Sequence, residues 1–214
     1  MSAVLSRGQT DALNAYMDEL ERWNQRLNLT SVTREDAWSR HVEQSLHLLE
    51  IADPPEGAAV VDIGSGSGAP GLVVAVARPD LAVTLVEADG RKAAFLVHVA
   101  GMLGLDGVGV APVRAEEAGH DPGLRERFDR ALSRAAAKPR VLVELALPLL
   151  RPGGLLCALV TDAPAAARSC RAAAAVLGGG EPAGEAGTLT VPKVARTPAE
   201  FPRRPGVPTR HPLP

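Results

Sequence analysis

Long apolar runs are missing from this chain, and its opening residues, Met1-Ser2-Ala3-Val4-Leu5-Ser6-Arg7, carry no signal-peptide core. Both absences argue against a membrane-spanning segment, and the expectation is a cytoplasmic protein. Cysteine is equally scarce: Cys157 falls in an expected strand and Cys170 in an expected helix, so the pair forms neither a disulfide framework nor a zinc ligand set. Both read as packing residues, and no metal is expected. The formal net charge of only −2, with a pI near 6.2, excludes a protein that coats nucleic acid nonspecifically. It leaves room for a local patch, because Lys193, Arg196, Arg203, Arg204 and Arg210 face only Glu200 in the last segment. No internal repeat is present. No His or Cys constellation of the kind a hydrolase needs stands out either.

What is there is an ordinary globular composition, 46% hydrophobic and 22% charged. At 214 residues the chain is long enough for one α/β domain with a core plus an extension. Within it, Val60-Val61-Asp62-Ile63-Gly64-Ser65-Gly66-Ser67-Gly68-Ala69-Pro70-Gly71 is the most informative stretch. An apolar strand runs into an acidic residue, then into alternate glycines that open a helix. Glycines let the backbone turn tightly and approach a ligand, and the helix start offers unpaired N–H groups. Pro70 fits a first helical turn, where its missing donor costs nothing.

Gly66, Gly68 and Gly71 also satisfy a dinucleotide-binding pattern, so the loop alone does not name its cofactor. Its surroundings do. The strand ends early, at Asp62-Ile63-Gly64, and a carboxylate there suits the cationic amino-acid end of S-adenosylmethionine better than a pyrophosphate, which it would repel. A second strand, Leu81 to Glu87, ends about 20 residues beyond the glycines in a carboxylate placed to accept both ribose hydroxyls. Together these read as a methyl-donor site with Asp62, Gly64, Gly66, Gly68 and Glu87 in contact with the cofactor.

The rest of the chain supplies the frame. Leu13, Tyr16, Leu20, Trp23 and Leu27 recur at helical spacing, predicting an amphipathic helix over 8–27. Asn28-Leu29-Thr30 breaks it. Thr33 and Asp36 form a capping-box pattern that starts a second helix through Trp38, Val42, Leu46 and Leu49. The expected divisions are an N-terminal helical extension over 1–53, a cofactor-binding domain over 54–197 and a basic, proline-rich tail over 198–214. From Ala58 to Val160 strands and helices alternate, as in a doubly wound parallel sheet. The expected helices are Gly90 to Leu103, one reaching Leu150, and Ala163 to Leu177. The expected strands are Gly107 to Val113, Phe128 to Ser133, Leu155 to Val160 and Thr188 to Val191. Arg151-Pro152-Gly153-Gly154 reads as a helix stop, 178–187 as a loop, and the tail as neither helix nor strand.

Ligands of open parallel sheets sit beyond the carboxyl ends of the strands. Arg114-Ala115-Glu116 and Ser133-Arg134-Ala135 occupy two such ends. Ala115 and Glu116 are placed to hold an adenine edge, and Arg134 to position the acceptor or the cofactor carboxylate.

The motifs Trp23-Asn24-x-x-Leu27-Asn28-Leu29-Thr30, Asp62 to Gly71, Arg114-Ala115-Glu116, Ser133-Arg134-Ala135, Leu150 to Gly154 and Phe201-Pro202-Arg203-Arg204-Pro205-Gly206-x-Pro208 resemble, in order, those of the bacterial glucose-inhibited-division B family. The resemblance implies a class I methyltransferase Rossmann-like fold with an N-terminal helical extension. It also implies transfer of a methyl group from S-adenosylmethionine to guanine N7 of 16S ribosomal RNA. Cofactor contacts are then implied at Gly64, Ala69, Ala115, Glu116 and Arg134, with Arg134 the catalytic assignment. RNA contacts are expected at His41, Arg203 and Arg204. The expected partner is ribosomal RNA or the small-subunit particle, met by a monomer. Some positions depart from the family pattern: Ala69 replaces a larger residue, Val160-Thr161 a Lys-Gly, and Gln44 an aspartate. A methyltransferase acting on a small heterocycle, or a module that binds cofactor or RNA without turnover, remains an alternative. A nicotinamide-dependent oxidoreductase is the reading against which Asp62 speaks.

Overall fold

The computed structural model describes residues 5–134 and 136–214; Met1 to Val4 and Ala135 lie outside the described residues. Seven strands form one sheet in the order β3-β2-β1-β4-β5-β7-β6. They are β1 (Ala59–Ile63), β2 (Ala82–Val86), β3 (Val108–Ala111), β4 (Phe128–Arg134), β5 (Leu150–Leu159), β6 (Ala183–Glu185) and β7 (Thr188–Pro192). The first five run parallel, and β7 is antiparallel to both β5 and β6. The strand order reverses at β1, between β2 and β4, and a crevice opens there at the carboxyl ends.

Alternation along the strands sends neighbouring residues into two cores. Val60, Val83, Leu85 and Leu132 face one layer, whereas Val61, Ile63, Val86 and Ala131 face the other. Helices α1 (Arg7–Leu27), α2 (Gln44–Ala52), α3 (Gly71–Ala77) and α4 (Gly90–Met102) cover the first. The second is covered by α5 (Ala115–Ala118), α6 (Pro139–Ala146) and α7 (Ala163–Val176). Leu13, Tyr16, Met17 and Leu20 of α1 sit in the same buried cluster as Val60 and the α3 valines, so the N-terminal extension shares the core of the sheet domain. Ser6 caps α1 by accepting from the Gln9 N–H, and the left-handed Asn28 ends it, close to the expected bounds.

Four local expectations are corrected. The helix expected to reach Leu150 ends at Ala146, and β5 begins at Leu150. Arg151 to Gly154 is an irregularity inside β5: Phe128 pairs with Leu150 but Arg130 already pairs with Leu155. The glycines serve this excursion, since Gly153 sits at φ +90 and donates its N–H to the Lys193 carbonyl. The segment 178–187 also holds the short edge strand β6, which periodicity over three residues does not reveal.

The tail is the fourth correction, because the chain around it pins it to the domain and it contains a helical turn, α8 (Val207–Arg210). Arg125 donates to four carbonyls, those of Gly119, Thr197, Pro198 and Phe201. Glu144, fully buried on α6, accepts from the Arg203 N–H at 2.9 Å, from Nε at 2.8 Å and from a terminal guanidinium nitrogen at 2.6 Å. Lys193 is buried too, with Nζ donating to the Leu147 carbonyl at 2.7 Å, the Leu177 carbonyl at 3.2 Å and Thr197. It thereby closes the C-terminal ends of α6 and α7. Two of the five cations seen in the sequence, Lys193 and Arg203, are thus taken up internally, while Arg196, Arg204 and Arg210 stay exposed.

Removing Arg203 leaves the Glu144 carboxylate buried without its cation, the costly way to break an ion pair. Arg203→Ala is therefore expected to lower unfolding free energy by about 3 kcal/mol. Urea denaturation checks this, and a midpoint shift too small to resolve would show that Glu144 does not depend on Arg203.

Candidate cofactor and acceptor site

The sequence β1, glycine loop, α3 builds the floor of the crevice. Asp62, fully buried at the strand end, accepts the Gly71 N–H at 3.0 Å through Oδ2 and so closes the first turn of α3. Gly71 has to be glycine: a Cβ there would stand 2.2 Å from Leu85 Cδ2 and 2.8 Å from Asp62 Oδ2. Gly68 is held at φ +99, where a side chain would also strike Leu72. The helix begins at Gly71 with Pro70 as its cap, one residue later than Pro70 as a first-turn residue implies.

Two other elements hold the loop from its sides. Glu87, at the end of β2, accepts the Gly66 N–H at 2.8 Å with one oxygen and the Asp89 N–H at 2.8 Å with the other. Tyr16 of α1, fully buried, donates its hydroxyl to the Ser67 carbonyl at 2.7 Å, and burial pushes its phenol well above the ordinary range. The Tyr16 contact has no sequence signal, since this residue lies on the apolar stripe of α1 like any core position.

Asp62 carries the electrostatic character of the floor. Burial pushes its carboxyl up to about 7, against the pull of the Gly71 N–H, Ser65 and the Arg134 charge, while nearby Glu87 pushes it further up. Its Oδ1 is buried without a hydrogen-bond partner. A buried carboxylate with an unsatisfied oxygen beneath a glycine loop favours a cationic ligand above it. These residues fit S-adenosylmethionine, whose α-ammonium and sulfonium are cationic and whose ribose hydroxyls match an acidic residue at the β2 tip.

Beyond the loop lies a cleft of about 1420 Å³. Gly64, Gly66, Ala69 and Arg134 line it together with Asn28, Thr30, Arg40, Gln44, His47 and, across from them, Leu159 to Asp162. Its lining includes two arginines and a histidine against a single carboxylate, Asp162. Gln44, Ala69, Val160 and Thr161, the four departures from the family pattern, all line this one cleft. Glu87 stands behind Gly66, and Ala115 and Glu116 stand at the β3 end outside the cleft lining.

Arg134 ends β4, one strand over from β1, with its guanidinium between neutral acceptors. One terminal nitrogen donates to the Arg40 carbonyl and the other to His41 Nδ1 at 2.6 Å. The acceptors come from a π-helical segment, Trp38–Glu43, that precedes α2. There the Gln44 N–H bonds the Ser39 carbonyl, so the Arg40 carbonyl loses its α-helical partner and takes Arg134 instead. The Thr33–Asp36 capping pair is present, at 3.1 and 3.3 Å, but it leads into this wider turn.

Three sequence expectations are redirected. His41 is fully buried, out of reach of an RNA phosphate, and burial together with the Arg134 and Arg40 charges pushes it down to about 4. Glu116 is buried as well, and its Oε1 accepts the Gly206 N–H at 2.9 Å, so its carboxylate ties down the tail. Arg203 is committed to Glu144. Arg204 stays exposed, with no ion pair among the described residues.

Comparison with known proteins places this geometry. A family model for rRNA small subunit methyltransferase G matches residues 9–182. The ribosomal RNA small subunit methyltransferase G of Moorella thermoacetica is 39% identical over 98% of this chain and 92% of its own. That of Chloroflexus aggregans is 43% identical over 98% and 92%. Among solved structures, a SAM-dependent O-methyltransferase from Thermotoga maritima superposes with a TM-score of 0.56 at 14% identity, over 86% of this chain and 72% of its own, which speaks to the fold alone.

The raised carboxyl of Asp62 makes a pH prediction. Between about pH 4 and 7 the folded chain keeps a proton that the unfolded chain has released, so this contribution to stability is lost as pH rises through the window. Asp62→Asn should remove that component. Urea midpoints at pH 5 and pH 7.5 for both proteins check it, and an identical pH slope would mean that Asp62 is ionised throughout.

Proposed function

Because the chain belongs to the rRNA small subunit methyltransferase G family, we propose that it transfers a methyl group from S-adenosylmethionine to guanine N7 of 16S ribosomal RNA. The observation that carries this reading is the glycine loop, closed beneath by Asp62 and flanked by Glu87, opening into a cleft on which Arg134 is the buried-edge cation. The fold is that of the class I methyltransferases. Among the described residues no helix is long and apolar enough to cross a membrane, and no three His, Cys, Asp or Glu side chains are grouped to hold a metal ion.

The bound cofactor supplies an electrophilic methyl on a sulfonium leaving group. Guanine N7 presents its lone pair already, so the N7–C bond forms as the C–S bond breaks, and no side chain has to take a proton. The protein's work is alignment and electrostatics. In this reading Glu87 accepts the ribose hydroxyls, Asp62 balances the ammonium and sulfonium charges, and Arg134 takes the cofactor carboxylate. Arg40 in the cleft lining supplies a positive charge that favours a polyanionic acceptor.

Small subunits from a strain lacking the gene, incubated with the protein and S-adenosylmethionine, should gain one 7-methylguanine in 16S RNA on mass mapping. Glu87→Ala should weaken S-adenosylhomocysteine binding by roughly 1.5–3 kcal/mol, because charge-assisted hydrogen bonds are lost. Unmodified guanine with the wild-type protein, or an unchanged dissociation constant in the variant, would overturn the respective assignment.

RNA contact by the tail falls to the exposed Arg204 and Arg210, given that Arg203 is occupied. Arg204→Ala should flatten the log–log salt dependence of RNA binding by about 1 unit and leave cofactor affinity unchanged. Equal slopes for wild type and variant would take Arg204 out of the RNA interface.

A further inference from the structure

We propose that His41 is a positioning residue: its imidazole Nδ1 aims the Arg134 guanidinium at the amino-acid carboxylate of the bound cofactor. The inference rests on the cofactor reading above and adds a residue, and through it a role for the N-terminal segment, to that site.

Arg134 has no carboxylate partner among the described residues. A guanidinium at the edge of a cleft is ordinarily fixed by an acid, and an acid would compete with an anionic ligand. Here its partners are the Arg40 carbonyl and His41 Nδ1, so the side chain is oriented while its charge stays available to the cleft. For Nδ1 to accept from Arg134 it must be the bare ring nitrogen, which puts the proton on Nε2. That nitrogen faces Thr30 Oγ1 at 3.5 Å, and the same hydroxyl accepts the Val32 N–H at 3.1 Å. Thr30 is itself bracketed by Asn24 of α1, whose amide donates to the Thr30 carbonyl and accepts its N–H, both at 2.9 Å. The line from Asn24 through Thr30 and His41 thus ends on Arg134. It joins three elements of the N-terminal segment to the β4 tip.

Two variants separate positioning from packing. His41→Phe keeps a ring of similar size and removes the acceptor, whereas His41→Asn carries an amide oxygen near the position of Nδ1. Binding is measured by calorimetry with S-adenosylhomocysteine, which has the carboxylate, and with 5′-methylthioadenosine, the same nucleoside without the amino-acid end. His41→Phe is expected to weaken S-adenosylhomocysteine about tenfold or more and to leave 5′-methylthioadenosine within about threefold, with the loss in turnover appearing in KM for S-adenosylmethionine more than in kcat. His41→Asn should recover most of the affinity.

The proposal is overturned if His41→Phe binds S-adenosylhomocysteine as wild type does, if both ligands weaken together, or if His41→Asn is as impaired as His41→Phe. Failure of the wild-type protein to bind S-adenosylhomocysteine would instead remove the cofactor reading itself, a result visible before either variant is made.

Discussion

The buried Asp62 carboxylate is the constraint on which the site depends. One oxygen closes the first turn of α3 through the Gly71 N–H, which fixes where the helix starts and therefore how the glycine loop must run to reach it. That geometry excludes any side chain at Gly71 and forces a left-handed conformation at Gly68. The other oxygen is left without a partner, in a place where burial disfavours its charge. A structure that keeps such a group spends stability on it, and the cost is offset when a cation is bound above. Glu87 and Tyr16 then hold the loop from two sides, so the floor is set before any ligand arrives.

Arg134 is organised on the opposite principle. Asp62 is a charge buried with too few partners, and Arg134 is a charge given neutral ones. The π-helical segment before α2 makes this possible by shifting the hydrogen-bond register one residue, which frees the Arg40 carbonyl from its α-helical role. The wider turn belongs to the segment that also carries His41, and its position against the β4 tip comes from the packing of α1 and α2 on the sheet.

The C-terminal segment divides its charge between the interior and the surface, with Arg196, Arg204 and Arg210 exposed. Lys193 caps two helix ends from within, Arg203 neutralises Glu144, and Arg125 gathers four carbonyls of the segment. With Glu116 holding Gly206, the tail leans on the β3 end beside Ala115. The cleft itself is lined by two further cations, Arg40 and Arg134.

Much of this was legible in the residues alone. Period and punctuation marked α1, β1, β2, α4 and α7 closely, because strands buried on both faces read as apolar runs and helix ends carry their own caps at Ser6, Asp89 and Asp162. The spacing of Asp62, the glycines and Glu87 determined the cofactor loop, since close backbone approach and an acidic strand tip are local requirements of the chain. What the tertiary structure decided is which polar side chain meets which. Arg151 to Gly154 became an excursion within a strand because Lys193, the residue after β7, pairs with its backbone. His41 turned inward because α2 packs against the sheet, and Glu116 and Arg203 were taken up by partners about 60 to 90 positions away. Hydrogen-bond partners that distant leave no periodicity in a sequence, so only the folded chain assigns them.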